Sequence, residues 1–373
     1  MVISKKKCNV CHITSAHRKE DDRIYLKECV SLANSGYETY LVQRGNSYKK
    51  NGVNIIGFGN ASPSRLKRMF KDTRRAYKIA LELNCDIYHI HDPELLPYAL
   101  KLKRKGKTVI FDSHEIYSEH IKAKKYLHGA SYIISKIYNF YESFVLKRID
   151  AVISVCTVNG KDYFKGKCPN TCIIRNLPIL EEFYEHFNNN LEKSNNVCYV
   201  GGLTEIRGIK NDIIASSRCN VNLILAGEFD SNEFKDLVQS MPEYSCVDYR
   251  GFVDRNEVRK IISECKVGLA TMLNKGDYWK TDSYGIKVYE YMSMGVPVIR
   301  QNSEFDIKMM EKYKFGLCVD PENVDEIARA IKYIIENPDE ARKMGENGRK
   351  AIREEFNWQI EKEKLIKLYS KLI

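Results

Sequence analysis

No apolar run in this 373-residue chain reaches the roughly 18 to 20 residues that a membrane-spanning helix needs. The opening, MVISKKKCNVCHI, has basic residues but no apolar stretch of the kind that directs secretion. The expectation is a cytoplasmic protein, neither secreted nor embedded in a bilayer. A G-x-G-x-x-G fingerprint is also missing, since Gly57 and Gly59 come nearest without a third glycine. That removes the usual signature of a dinucleotide oxidoreductase. The twelve cysteines are scattered, many in apolar strand-like runs such as VCYV around Cys198, so they read as reduced thiols and not as a disulfide framework. Cys8 and Cys11 form one C-x-x-C, but in a strand positions three apart face opposite sides, and no second pair follows. No metal site is expected there.

Acidic charge is scarce in the first half. Residues 1–185 hold 32 lysines and arginines against 19 acids, and the remainder holds 28 against 30, so the first half's +13 exceeds the net +11 of the whole chain. One half is built to face something anionic. The densest run is 62–83, SPSRLKRMFKDTRRAYKIALEL, in which basic residues flank Leu66, Met69, Phe70, Tyr77 and Ile79. On a helix this suits an anionic membrane surface. A solvated helix whose apolar stripe is core fits equally well, and no recognised motif supports nucleic acid.

What the chain does have is alternation. Short apolar runs at 8–13, 37–43, 53–58, 86–90, 108–112, 151–155 and 171–174 are separated by amphipathic stretches such as 22–35, 64–84 and 93–105. The pattern breaks at 181–196, which is acidic and Asn-rich, and resumes with runs at 197–200, 221–226, 245–250, 267–270, 296–300 and 317–319. Such alternation implies α/β architecture with parallel sheets and crossover helices. The expected domains are 1–185 and 186–353, with 354–373 as a helix crossing back to the first.

The most informative segment is 282–299, DSYGIKVYEYMSMGVPVI. A helix beginning at or just before Tyr284 would put Asp282 and Glu290 near one side, with Lys287 between them. Acids there could accept hydrogen bonds from sugar hydroxyls, and a helix N-terminus suits a diphosphate. A plain amphipathic helix running into a buried strand is the alternative. At the start of the second half, VCYV runs into GGLTEIRGIK, where glycines let the backbone approach phosphate oxygens. In the first half, YHIHDPELLPYAL and FDSHEIY deliver His91, Asp92, His114 and Glu115 to the carboxyl ends of two strands, where doubly wound folds bind ligands. Helix capping by Asp92, Asp112 or Ser113 is the other reading. The loop at 12–28 adds His17, Asp21, Asp22 and Arg23.

These segments resemble retaining glycosyltransferases of family 4. Glu290, Tyr291 and Met292 match the family's second acid and the residues after it, while Asp282 replaces its first glutamate. The loop at 201–208 is similar to G-R-L-x-x-x-K-G, with Gly202 in place of arginine and Arg207 in place of lysine. One expected cation is therefore absent, and Lys287 is the candidate to supply it. IIRNLPIL at 173–180 resembles the family's segment before the interdomain crossing, and EEFNWQIEKEKLIKLY at 354–369 its last helix, with Trp358 as anchor.

The resemblance implies the GT-B fold, two Rossmann-like doubly wound domains facing across a cleft. It also implies transfer of a sugar, with retention, from a nucleoside-diphosphate sugar to an acceptor hydroxyl. The implied roles are catalytic for His114, Asp282 and Lys287, and donor binding for Gly201, Gly202, Arg207, Lys287 and Glu290. His17, Arg23, His91 and Asp92 fall on the acceptor side. There is no D-x-D, so no metal or other cofactor is expected, and no readable motif supplies a carboxylate nucleophile. The expected partners are the nucleotide sugar, a glycan or lipid-linked acceptor of polysaccharide synthesis, and an anionic membrane surface, not nucleic acid. A nucleotide-sugar 2-epimerase of the same fold and a non-catalytic nucleotide-sugar-binding protein are the alternatives.

Overall fold

Every run expected as a strand forms one. The computed structural model describes residues 8–122, 130–187, 194–275, 279 and 281–373. The chain divides into two compact units, Met1–Asn176 with Gln359–Ile373, and Leu177–Trp358.

The first unit carries β1 (Asn9–Ile13), β2 (Glu38–Gln43), β3 (Tyr48–Lys50), β4 (Val53–Gly57), β5 (Ile87–Ile90), β6 (Thr108–Ser113), β7 (Ala151–Ser154) and β8 (Thr171–Ile173). Their order is β3-β4-β2-β1-β5-β6-β7-β8, parallel except for the β3–β4 pair. β5 and β7 are buried at every position, as strands covered by helices on both faces must be, and that is why they read as short, mostly apolar runs. β3 has no counterpart among the expected strands. It is exposed throughout and carries two lysines, the composition of a protected edge and not of a core strand.

The second unit carries β9 (Ser194–Val200), β10 (Leu223–Ala226), β11 (Val247–Gly251), β12 (Cys265–Ala270), β13 (Val298–Gln301) and β14 (Gly316–Val319), all parallel, in the order β11-β10-β9-β12-β13-β14. This is the order of nucleotide-binding sheets. The chain reverses direction across the sheet between β9 and β12, and in the first unit between β1 and β5. Crevices open beyond the strand ends at such switch points. Both groups of candidate residues follow these strands.

The expected boundary at 185 moves. Leu177 and Phe183 are fully buried in the second unit's core, and Ser194 already begins β9. The anticipated linker at 181–196 is therefore in part packed structure, and its residues 188–193 lie outside the described residues. At the other end the division falls after Trp358, which is buried and donates its N–H to Pro178 O at 2.8 Å, both in the second unit. The following helix is tied into the first unit by Glu361, which accepts from Arg175 Nε at 3.0 Å, and by the fully buried Tyr369.

Candidate functional site

In the second unit the site is built on the turn after β9. Gly201 has φ +123°, a conformation that side chains rarely adopt. A Cβ there would stand 3.3 Å from Lys287 Nζ, and one on Gly202 would stand 3.0 Å from Arg207 Nη1. The two glycines thus make room for two cations. Arg207 Nη1 donates to Gly202 O at 3.2 Å, and the Lys287 ammonium lies 3.4 Å from the centre of the Tyr199 ring. Among the described residues neither cation has a carboxylate within salt-bridge distance. Burial, and then the positive charges of Arg207 and Arg300, push the Lys287 pKa well below its usual value. An anion placed here would relieve that strain.

Two further features surround the turn. The helix Ile286–Ser293 starts after Gly285, with Lys287 in its first turn beside the free N–H groups. Asp212, in the helix Ile209–Arg218, accepts from Thr271 Oγ1 through one oxygen and has no hydrogen-bond partner for the other among the described residues; burial lifts its pKa to about 7. Farther along the helix Glu290 is buried, and its Oε1 accepts from Arg255 Nη1 at 2.6 Å, while Arg255 Nε also reaches Glu182 at 2.5 Å.

In the first unit the groups converge beyond β1, β5 and β6. Asp92 Oδ2 accepts from Ser15 N at 2.5 Å, Thr14 Oγ1 and Ser15 Oγ at 3.1 Å each, and Ala16 N at 3.2 Å, while its Oδ1 lies 2.8 Å from His17 Nδ1. Burial disfavours charge on both partners, but their pairing outweighs it: the Asp92 pKa falls and the His17 pKa rises. Asp112 is gripped at both oxygens by Arg23, Nε to Oδ2 at 2.8 Å and Nη2 to Oδ1 at 3.0 Å. His114 Nε2 lies 3.2 Å from the same carboxylate and 3.2 Å from His91 Nδ1. The rings of His17 and His114 are 4.5 Å apart, and their side chains keep 25% and 19% of their surface exposed. Buried acids thus hold two imidazoles at the surface.

Comparison with known proteins agrees with this construction. A profile for Glycosyltransferase Family 4 matches residues 26–174, and one for Glycosyl transferases group 1 matches residues 181–351. The chain belongs to the group 1, family 4 glycosyltransferases. Over 191 residues it is 26% identical to the alpha-1,3/1,6-mannosyltransferase ALG2 of Homo sapiens, a match that spans 48% of this chain and only 43% of that relative. Among solved structures, sucrose-phosphate synthase from Thermosynechococcus elongatus superposes with TM-score 0.77 at 19% identity, covering 98% of this chain and 99% of that one. Anabaena Alr3699/HepE, in complex with UDP and glucose, superposes with TM-score 0.72 at 12% identity, covering 98% and 100%. These likenesses establish the two-domain GT-B fold.

Several residues singled out in this family 4 chain lie differently from expectation. The helix begins at Ile286, because Gly285 is extended, so Asp282 sits in the preceding loop and shares no helical face with Glu290. Arg23, His91 and Asp92 are buried, so of the acceptor-side set only His17 presents itself, joined by His114. Asp92 makes no side-chain cap at its own helix, and Asp112 is engaged by Arg23, which removes the capping reading for both. Glu290 is oriented by Arg255, which sequence reasoning passed over because the arginine lies 35 positions away at the start of the helix Arg255–Glu264. Tyr199, Asp212 and Glu28 were also missed, and each sits in a run that looks like ordinary core or ordinary solvated helix.

Proposed function

We propose that the protein transfers a sugar from a nucleoside-diphosphate sugar to an acceptor hydroxyl with retention at the anomeric carbon. The observation that carries this is the pair of cations held over the Gly201–Gly202 turn at the switch point of a nucleotide-type sheet. As the bond between the anomeric carbon and the leaving oxygen breaks, negative charge grows on the diphosphate, and Lys287, Arg207 and the helix N-terminus stand ready to stabilise it. Glu290, fixed by Arg255, is assigned to the ribose hydroxyls, and Asp282 to the sugar. The first unit, through His17 and His114, is assigned to the acceptor and the reacting hydroxyls. With the cations in this role the transfer needs no divalent ion. The UDP complexes of HepE support a nucleotide-sugar donor.

The acceptor is assigned as a lipid-linked glycan at an anionic membrane face. In the first unit the helix Ser131–Leu146 leaves Ile133, Ile137, Phe140 and Phe144 exposed at spacings of four, three and four, with Phe140 78% exposed. Its one acid, Glu142, is buried, while Lys136, Lys147 and Arg148 are exposed. An apolar face edged only by cations matches acyl chains beneath anionic headgroups. In the basic run at 62–83, Ala76, Tyr77 and Ala80 are core, but Leu66 and Phe70 are exposed and add to the same character.

The test is incubation with UDP-, GDP- and ADP-sugars and membrane-extracted lipid acceptors, with the anomeric configuration of the product read by NMR. Inverted product, or activity abolished by EDTA and restored by magnesium, would overturn the mechanism; donor epimerised without acceptor would replace transfer altogether. For the membrane, salt-sensitive binding to anionic but not neutral liposomes is expected, lost in an Ile137→Glu, Phe140→Glu variant; equal binding by the variant would refute it.

A further inference from the structure

Behind His114 the first unit buries a second histidine group. His12 lies on β1, His89 is its partner in register on the neighbouring β5, and His91 directly follows the last residue of β5. Glu28, from the helix Asp22–Cys29, points at all three. Its Oε2 is 3.8 Å from His12 Nδ1, 3.9 Å from His89 Nδ1 and 4.0 Å from His91 Nε2, and the last nitrogen is 2.9 Å from His12 Nδ1. All four side chains are fully enclosed. The transfer reading uses none of them directly.

This is a costly set of groups to bury without a purpose. Among the described residues neither oxygen of Glu28 accepts a hydrogen bond, and Arg23, paired with it at 3.1 Å, donates its hydrogen bonds to Asp112 and Ile174 O. An enclosed carboxyl group that accepts no hydrogen bond is expensive.

We infer that His12, Glu28, His89 and His91 form a structural site for a divalent transition ion of the zinc class. One ligand atom from each of the four lies within 4.8 Å of the others. Zinc bonds of about 2.0 to 2.1 Å put tetrahedral ligand atoms roughly 3.3 Å apart; four of the six pairwise separations run from 2.9 to 4.0 Å, and all lie within 4.8 Å. Three imidazoles and a carboxylate are a donor set that suits zinc and not magnesium or calcium. Outer partners are in place as well: His12 Nε2 is 3.2 Å from Tyr369 Oη, and His91 Nδ1 is 3.5 Å from Asp112 Oδ2, the type of contact that orients metal-bound histidines. His89 would exchange its 2.8 Å bond to Tyr369 for the ion. Tyr369, on the C-terminal helix, would then meet the site through His12 Nε2.

The test needs no sugar. Wild-type protein purified without chelator should contain stoichiometric metal by elemental mass spectrometry. Protein stripped in denaturant and refolded with cobalt should show the intense visible bands of a tetrahedral site. Zinc should raise its Tm by about 5 °C or more. Glu28→Gln and His12→Asn should each abolish the cobalt bands. Colourless wild-type protein with metal far below stoichiometric would overturn the assignment without reliance on any variant. So would colour that survives Glu28→Gln and His12→Asn but disappears in His114→Asn, because His91, Asp112 and His114 form the neighbouring metal-capable group.

Discussion

Lys287→Met is the sharpest perturbation of the proposed transfer. The ammonium is held against Tyr199 at the place where a Gly201 side chain would stand, with no carboxylate in salt-bridge range among the described residues. A unit charge about 4 Å away at an effective dielectric near 20 contributes about 4 kcal/mol. Loss of one preorganised donor to a developing anion costs roughly 2.7 to 4 kcal/mol, or about 10² to 10³ in kcat. The two figures agree, so kcat should fall by about 10² to 10³ with a smaller change in the donor KM. Stability should move the other way. The Lys287 pKa in the folded protein lies below its usual 10.5, so in the window between the two values the unfolded chain binds more protons and stability rises with pH. Methionine removes that penalty, and the variant should unfold at the same or higher urea concentration than wild type. Steady-state kinetics beside urea titrations decide it. A kcat within a few-fold of wild type in a fully folded variant would refute the assignment.

Three other outcomes follow from the same geometry. Asp112→Ala should destabilise the first unit by about 3 kcal/mol, the low end for a broken buried pair, because Glu28 remains 3.1 Å from Arg23 as a substitute; an unchanged urea midpoint would contradict this. In Asp92→Asn, NMR titration should show the His17 pKa falling. In wild type the raised His17 pKa contributes stability that is complete below its unfolded value of 6.5 and is lost as pH rises through the folded value; the variant should lack that part of the pH dependence. Gly208→Ala combines φ +75° with a Cβ only 2.1 Å from Thr271 O, so beyond the roughly 1 to 2 kcal/mol of left-handed backbone it should displace the turn that carries Arg207. Weaker nucleotide binding together with a lowered Tm is the expected result, and wild-type values for both would argue against the turn's role.

Much of the architecture could be read from the chain because parallel strands buried on both faces are apolar along most of their length. β5, β7 and β10 were therefore visible as short runs between amphipathic stretches. β3 was not, since an exposed edge strand of tyrosine and lysines carries no such pattern. The start of the helix at Ile286 was misjudged because an extended Gly285 leaves no periodic signal, and Asp282 consequently lost its helical relation to Glu290. Arg23 and Glu28 look in sequence like the solvated side of a helix; only packing against β1, β5 and β6 makes them buried partners of Asp112 and the histidines.

The sequence by itself determined the two α/β units and the glycine turn at 201–202, and marked Arg207, Lys287, Glu290, His17 and His114 as groups with chemistry. Backbone propensity, period and glycine are local properties, and local properties survive in a string of residues. The tertiary structure alone decided which charges are buried, which are paired and which stand free. Those depend on contacts such as Arg255 with Glu290 and Tyr369 with His89, between residues far apart in the chain. It was this long-range pairing that buried Arg23, His91 and Asp92 as support beneath His17 and His114, and that gathered His12, Glu28, His89 and His91 into one enclosed group.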